Sequence, residues 1–142
     1  MSVSPAPITQ PVLDATGVPT LPWTLFFNQN FSGDAGTNWT PTFVDLTKVG
    51  EPTVAGRFYR LSQYLVYFTI TVTPATSTTA TAGTTYIDNF PLTVNGDGFC
   101  TIVSGNLGGA IGQISAENNR IYVPSWNVVT VPLTILGFME AR

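Results

Sequence analysis

Between Tyr64 and Val72 the chain alternates without a break. Tyr64, Val66, Phe68, Ile70 and Val72 fall on one face and Leu65, Tyr67, Thr69 and Thr71 on the other. A period of two marks a half-buried strand, and the first set predicts the face turned to the core. Shorter runs of the same kind, separated by turn residues, predict about eight strands: approximately Thr42 to Leu46, Gly56 to Leu61, Tyr64 to Val72, Thr84 to Phe90, Gly98 to Val103, Ala110 to Ser115, Arg120 to Val123 and Val128 to Phe138. Ser62-Gln63 is short enough to close a hairpin between the second and third of these. Tyr59 and Tyr67 then belong on an outer face, where a ring can be covered by another subunit while its hydroxyl stays solvated.

Three segments read as connections. Pro74 to Thr85 is a run of Thr, Ala and Ser with Gly83 and predicts a long loop, mostly a solvated tip. Asn95-Gly96-Asp97-Gly98 predicts a turn that accepts positive φ, and Glu117 to Arg120 predicts another. If the protein reads a host-surface sugar or protein, Thr76, Ser77, Thr78, Thr79, Asn95 and Asp97 are the exposed polar residues that these loops offer.

The amino-terminal stretch has a different pattern. Pro5, Pro7, Pro11, Pro19 and Pro22 impose an extended backbone that makes no hydrogen bonds of its own. After Pro22, which suits a first helical position, Trp23, Phe26, Phe27 and Asn30 recur at helical spacing and predict one or two turns of helix. So short a helix cannot hide its aromatic face, so Trp23, Phe26, Phe27 and Phe31 are expected to plug into a groove. The chain therefore divides into an anchoring arm, residues 1–38, and a β-domain, residues 39–142.

Composition changes this picture in one respect. Of 142 residues only 9% are charged, with no histidine and a net charge of −3, against about 25% in ordinary soluble domains. Thr, Ser and Asn carry the polar surface instead. Hydroxyl and amide groups are buried against a partner at far smaller desolvation cost than ions, so the composition suits permanent assembly. With Phe 9, Tyr 5, Trp 3, Gly 13 and Pro 11, it also favours strands and turns over helices.

Candidate chemistry is sparse. Arginines are scattered singly, Lys48 is the only lysine, and no basic stripe exists to meet a nucleic acid. Cys100 is alone, so no intrachain disulfide forms. Without histidine there is no Ser-His-Asp or Cys-His arrangement, and Lys48 beside Gly50 reads as a solvated charge rather than the base of a Ser-Lys pair. Asp45, Asp88, Asp97 and Glu117 sit in or beside predicted turns, away from the aromatic surroundings that would tune a glycosidase acid. The glycine-rich run 105–112 lacks the Gly-Lys-Ser/Thr ending of a phosphate loop, and Gly108 and Gly109 instead fit a place where subunits approach closely. No enzyme activity, cofactor, metal or nucleic acid is expected. The amino terminus lacks the basic patch and apolar run of a secretion signal, and no stretch is long and apolar enough to be a membrane helix.

Two portions of the chain resemble a known group. Residues 11–31, PVLDATGVPTLPWTLFFNQNF, resemble an amino-terminal segment of small tailed-bacteriophage virion proteins, with an extended stretch, an Asp-Ala-Thr-Gly turn and an aromatic helix. From Trp39 onward, WTPTF, then GEPTVAGRFYRLSQYLVYFTITV, NFPLTV and the final ILGFMEAR are similar to the carboxy-terminal β-domain of phage tail fibres and related appendages. Gly56, Phe58, Leu61, Leu65, Val66 and Phe68 carry the most specific pattern, followed by Phe90-Pro91, where this chain has Phe-Pro-Leu in place of the family's Leu-Pro-Phe. The resemblance implies a jelly-roll-like antiparallel sandwich, a homotrimer, and a place on the virion, assembled in the bacterial cytoplasm. The long fibre shaft of large tail fibres is missing, so the implied object is a short appendage, anchored to other virion proteins of tail, baseplate or capsid through Trp23, Phe26, Phe27 and Phe31. Its subunits would meet at Tyr59, Tyr67, Gly108 and Gly109. A receptor-recognition module and a capsid decoration or cement protein are the alternatives.

Overall fold

A computed structural model describes residues 11–18, 20, 22, 36–103 and 110–142. The chain divides into two compact units, Met1–Asp34 and Ala35–Arg142. The described part of the first unit is a small closed loop. Asp14 Oδ1 accepts hydrogen bonds from the Thr16 and Val18 amides (2.8 and 3.1 Å) and from the Thr16 hydroxyl (2.6 Å). Thr20 N donates to Val12 O across the loop, and Gly17 supplies the positive φ of 82° that closes it. This is the Asp-Ala-Thr-Gly turn expected from the sequence. The helix expected after Pro22 lies outside the described residues.

The second unit is all-β. Its strands are β1 (Thr37–Trp39), β2 (Phe43–Val44), β3 (Thr47–Val49), β4 (Thr53–Arg60), β5 (Leu65–Thr73), β6 (Ser77–Ala80), β7 (Tyr86–Ile87), β8 (Val94–Ile102), β9 (Ile111–Ser115), β10 (Arg120–Tyr122), β11 (Trp126–Val129) and β12 (Leu133–Ala141). β1 thus begins inside the segment assigned to the arm. Nine strands form one curled antiparallel sheet in the order β1-β4-β5-β12-β8-β9-β10-β7-β2, and three form a second, β11-β6-β3. Both sheets contribute to one core.

Alternation decides which side chains enter that core. Val66, Phe68, Ile70 and Val72 of β5 are fully buried, as are Leu133, Ile135 and Ala141 of β12, the last strand in sequence, which inserts between β5 and β8. Tyr64, expected with the core set, lies before β5 begins and is exposed under the Arg142 guanidinium, 5.7 Å from its ring. The hairpin at Ser62-Gln63 forms with a connection widened to Leu61–Tyr64: Leu61 N donates to Leu65 O, and the Ser62 hydroxyl accepts from Leu65 N. The turn at 116–119 also forms, with Asn119 at a φ of 52°.

Four expected elements differ. The strand from Val128 to Phe138 is two strands in different sheets, because Pro132 has no N–H with which to continue a ladder. Thr42 to Leu46 is likewise split: Asp45 adopts a φ of 58°, after which the chain leaves the large sheet for the small one. The Pro74–Thr85 loop contains β6, the central strand of the small sheet, with Thr78 and Ala80 buried. Asn95-Gly-Asp-Gly is no turn but part of β8, and none of its residues has a positive φ.

Candidate functional site

The outward face of the large sheet carries a row of aromatic side chains. In the antiparallel register Tyr59 of β4 stands opposite Tyr67 of β5, Tyr67 opposite Phe138 of β12, and Phe138 opposite Phe99 of β8. The Tyr59 and Tyr67 rings stack at 5.7 Å and 27°, and Tyr67 meets Phe138 at 5.1 Å and 40°. Such cross-strand aromatic pairs stabilise a sheet by up to ~1 kcal/mol each, but they leave much ring surface in solvent: Phe99 is 54% exposed and Phe138 38%. The row exists because the alternate residues of the same strands are the core. With Val66 and Phe68 pointing inward, Tyr67 has only the other face.

The neighbouring row on this face runs Arg57, Thr69, Leu136, Thr101 and Ile111, the last 69% exposed. On the other side Leu65 stands opposite Glu140. The centre of the patch is therefore aromatic, aliphatic and hydroxylated, and its ionised groups lie off the aromatic row. At the β4 end the Arg57 guanidinium sits 5.4 Å above the Tyr59 ring. The chain enters β1 close beside both through Gly36, whose φ is 80°. A Cβ there would lie 2.6 Å from Arg57 Nε and 2.7 Å from Tyr59 Cε1, so any other residue would be strained and would push both side chains aside.

The structure places the remaining candidates as follows. Trp23, Phe26, Phe27, Phe31, Gly108 and Gly109 lie outside the described residues. Thr76 is exposed, Ser77 and Thr79 are half-buried, and Thr78 is in the core, where its hydroxyl accepts the Trp126 Nε1–H at 3.3 Å. Asn95 and Asp97 are exposed on β8, and Asp97 Oδ1 ties down the following turn by accepting Ala116 N at 2.9 Å. The six expected receptor-loop residues thus sit on or beside strands of two different sheets, and Thr78 cannot touch a receptor. Tyr59 and Tyr67 are brought together. Phe99, Phe138 and Ile111, their companions on the same face, were missed. The signal available was the alternation of Thr134, Leu136, Phe138 and Glu140 against the buried set of β12, but the register that aligns it with Tyr67 is not local.

Elsewhere chemistry is limited. A cleft of about 420 Å³ lies among Thr40, Phe43, Asp45, Leu46, Pro52 and Val54, with a Lys48–Glu51 ion pair (2.7 Å) on its wall. Among the described residues no three His, Cys, Asp or Glu side chains come close enough to hold a metal ion, and no helix is long and apolar enough to cross a membrane. Burial pushes the Cys100 thiol up to about 12, so it stays protonated, its Sγ 3.6 Å from Tyr122 O. In the first unit the hydrogen bonds of Thr16 and Val18 hold the exposed Asp14 carboxyl below its ordinary range. Arg120 is held above its ordinary range, first by its hydrogen bond to the Tyr122 hydroxyl, and lies 4.2 Å over the Tyr86 ring.

Comparison with protein-family models, with curated proteins and with solved structures finds no significant match for this chain.

Proposed function

We propose that this protein is a structural component of a bacteriophage virion: a short appendage whose amino-terminal arm anchors it to other virion proteins and whose jelly-roll-like sandwich associates as a trimer. The single observation that carries the reading is the aromatic row Tyr59–Tyr67–Phe138–Phe99, flanked by threonine and aliphatic side chains on the outside of a chain with so few charges. Such a face is costly to leave in water and inexpensive to bury against protein, which is the balance a permanently assembled subunit needs. The sequence resemblance of residues 11–31 and 39–142 supplies the virion, and the aromatic positions Trp23, Phe26, Phe27 and Phe31 supply the anchor.

The test is incorporation. Phage particles assembled with a tagged full-length chain should carry the tag at one place on the head or tail, visible by electron microscopy. Particles assembled with a chain lacking residues 2–31 should not. Normal labelling by the truncated chain would refute the anchor, and unlabelled particles in both cases would refute the virion role.

A further inference from the structure

We infer that the outward face of the large sheet, centred on Tyr67, Phe138 and Phe99, is the surface through which copies of this chain contact one another. The inference rests on the assembled-subunit reading above and names the face and its occupant.

Size supports it. The face spans five strands, from β4 to β9, roughly 20 Å across at a strand spacing of ~4.8 Å. The eight paired residues of β12 and β5 give it a length of roughly 26 Å at ~3.3 Å per residue. Its projected area is on the order of 500 Å², and side-chain relief raises the accessible area towards the ~800 Å² per partner of a standard interface. The four aromatic rings lie in line through its middle, where interfaces concentrate such residues, and Arg57 and Glu140 stand beside that line.

Charge selects the occupant. Each copy carries a net charge of −3, so contact between identical chains is least opposed where the surfaces that meet carry few ions. The row Tyr59, Tyr67, Phe138, Phe99 and Gln113 contains no ionised group, and the row beside it contains only Arg57, at its end. A partner recruited by charge would need a charged centre, which this face lacks. A second copy needs only another neutral, shape-matched sheet surface. The hydroxyls of Tyr67 and Thr69 can bond across such a contact, and neither brings the desolvation cost of an ion.

Sedimentation velocity on the full chain tests this with three variants. The wild type should sediment as an oligomer. Phe99→Asp and Ile111→Asp each place a carboxylate at an exposed position of the face, where the folded monomer tolerates it. Either should weaken self-association by roughly 100-fold or more, the cost of burying an unpaired charge, while the circular dichroism spectrum remains that of the folded β-domain. Val128→Asp, at a 70% exposed position of the small sheet, should leave the oligomer intact. An oligomer that survives both Phe99→Asp and Ile111→Asp would overturn the inference while leaving the assembled-subunit reading in place. Dissociation by Val128→Asp alone would move the interface to the small sheet. A monomeric wild type that still labels particles would overturn the inference without touching the virion role.

Discussion

Two tryptophans on edge strands pack against one core, and they solve the same problem differently. Trp126 of β11 is 4% exposed, meets Phe43 edge-on at 6.5 Å, and gives its Nε1–H to the buried Thr78 hydroxyl of the neighbouring β6. Trp39 of β1 stands edge-on to Phe58, Phe68 and Phe90 at 5.9, 6.5 and 5.1 Å, yet its buried Nε1–H finds no hydrogen-bond partner among the described residues. The first indole is held by packing plus a polar contact between two strands of the small sheet. The second indole is held by ring packing with no polar contact among the described residues, on a strand that pairs with β4. A buried indole N–H therefore does not show what a tryptophan contributes, because its surroundings decide whether that group stabilises or detracts.

Truncation gives the largest effect and should hardly separate the two. Trp126→Ala and Trp39→Ala each remove a large ring from the core and should destabilise the domain by ~3–5 kcal/mol, read by urea unfolding followed by circular dichroism. A much smaller loss for either would mean that its part of the core is loosely packed. Next comes Thr78→Val, which keeps the shape but removes the acceptor, orphaning Trp126 Nε1. It should cost about 1–3 kcal/mol in the same measurement, and a neutral result would show that the 3.3 Å contact contributes nothing. The smallest effect belongs to Trp39→Phe. Lost ring area is offset by relief of the unpartnered N–H, so stability should change by less than ~1 kcal/mol in either direction. A loss as large as that of Thr78→Val would break the comparison by showing that Trp39 Nε1 is satisfied in solution.

The same contrast shows what could be read without coordinates. The core face of β5 was legible because Val66, Phe68, Ile70 and Val72 alternate without exception, and the hairpin at Ser62-Gln63 because its two strands adjoin in sequence. β6 was not. Ser77-Thr78-Thr79-Ala80 has the composition of a loop, and only the arrival of Trp126, 48 residues later, gives Thr78 a reason to be inside. Asn95-Gly96-Asp97-Gly98 misled for a related reason. Glycine there suggested positive φ, whereas Gly98 is needed for room: a Cβ would lie 2.5 Å from Phe138 O of the adjacent β12. Of the candidate interface, Tyr59 and Tyr67 were readable because one hairpin holds both, while Phe138 and Phe99 join them through pairings that span much of the chain.

By itself the sequence determined that this chain is built from strands, which residues of β5 face inward, that turns fall at Ser62-Gln63 and near 116–119, and that the chain carries few charges. Each of those follows from local periodicity, backbone preference or composition. The tertiary structure decided the rest: that β12 enters between β5 and β8, that a threonine-rich stretch becomes the middle of a second sheet, and that Phe138 and Phe99 line up beside the Tyr59–Tyr67 hairpin pair on one open face. Strand order and register are set by which distant surfaces fit together, and that fit is a property of the folded chain rather than of any segment of it.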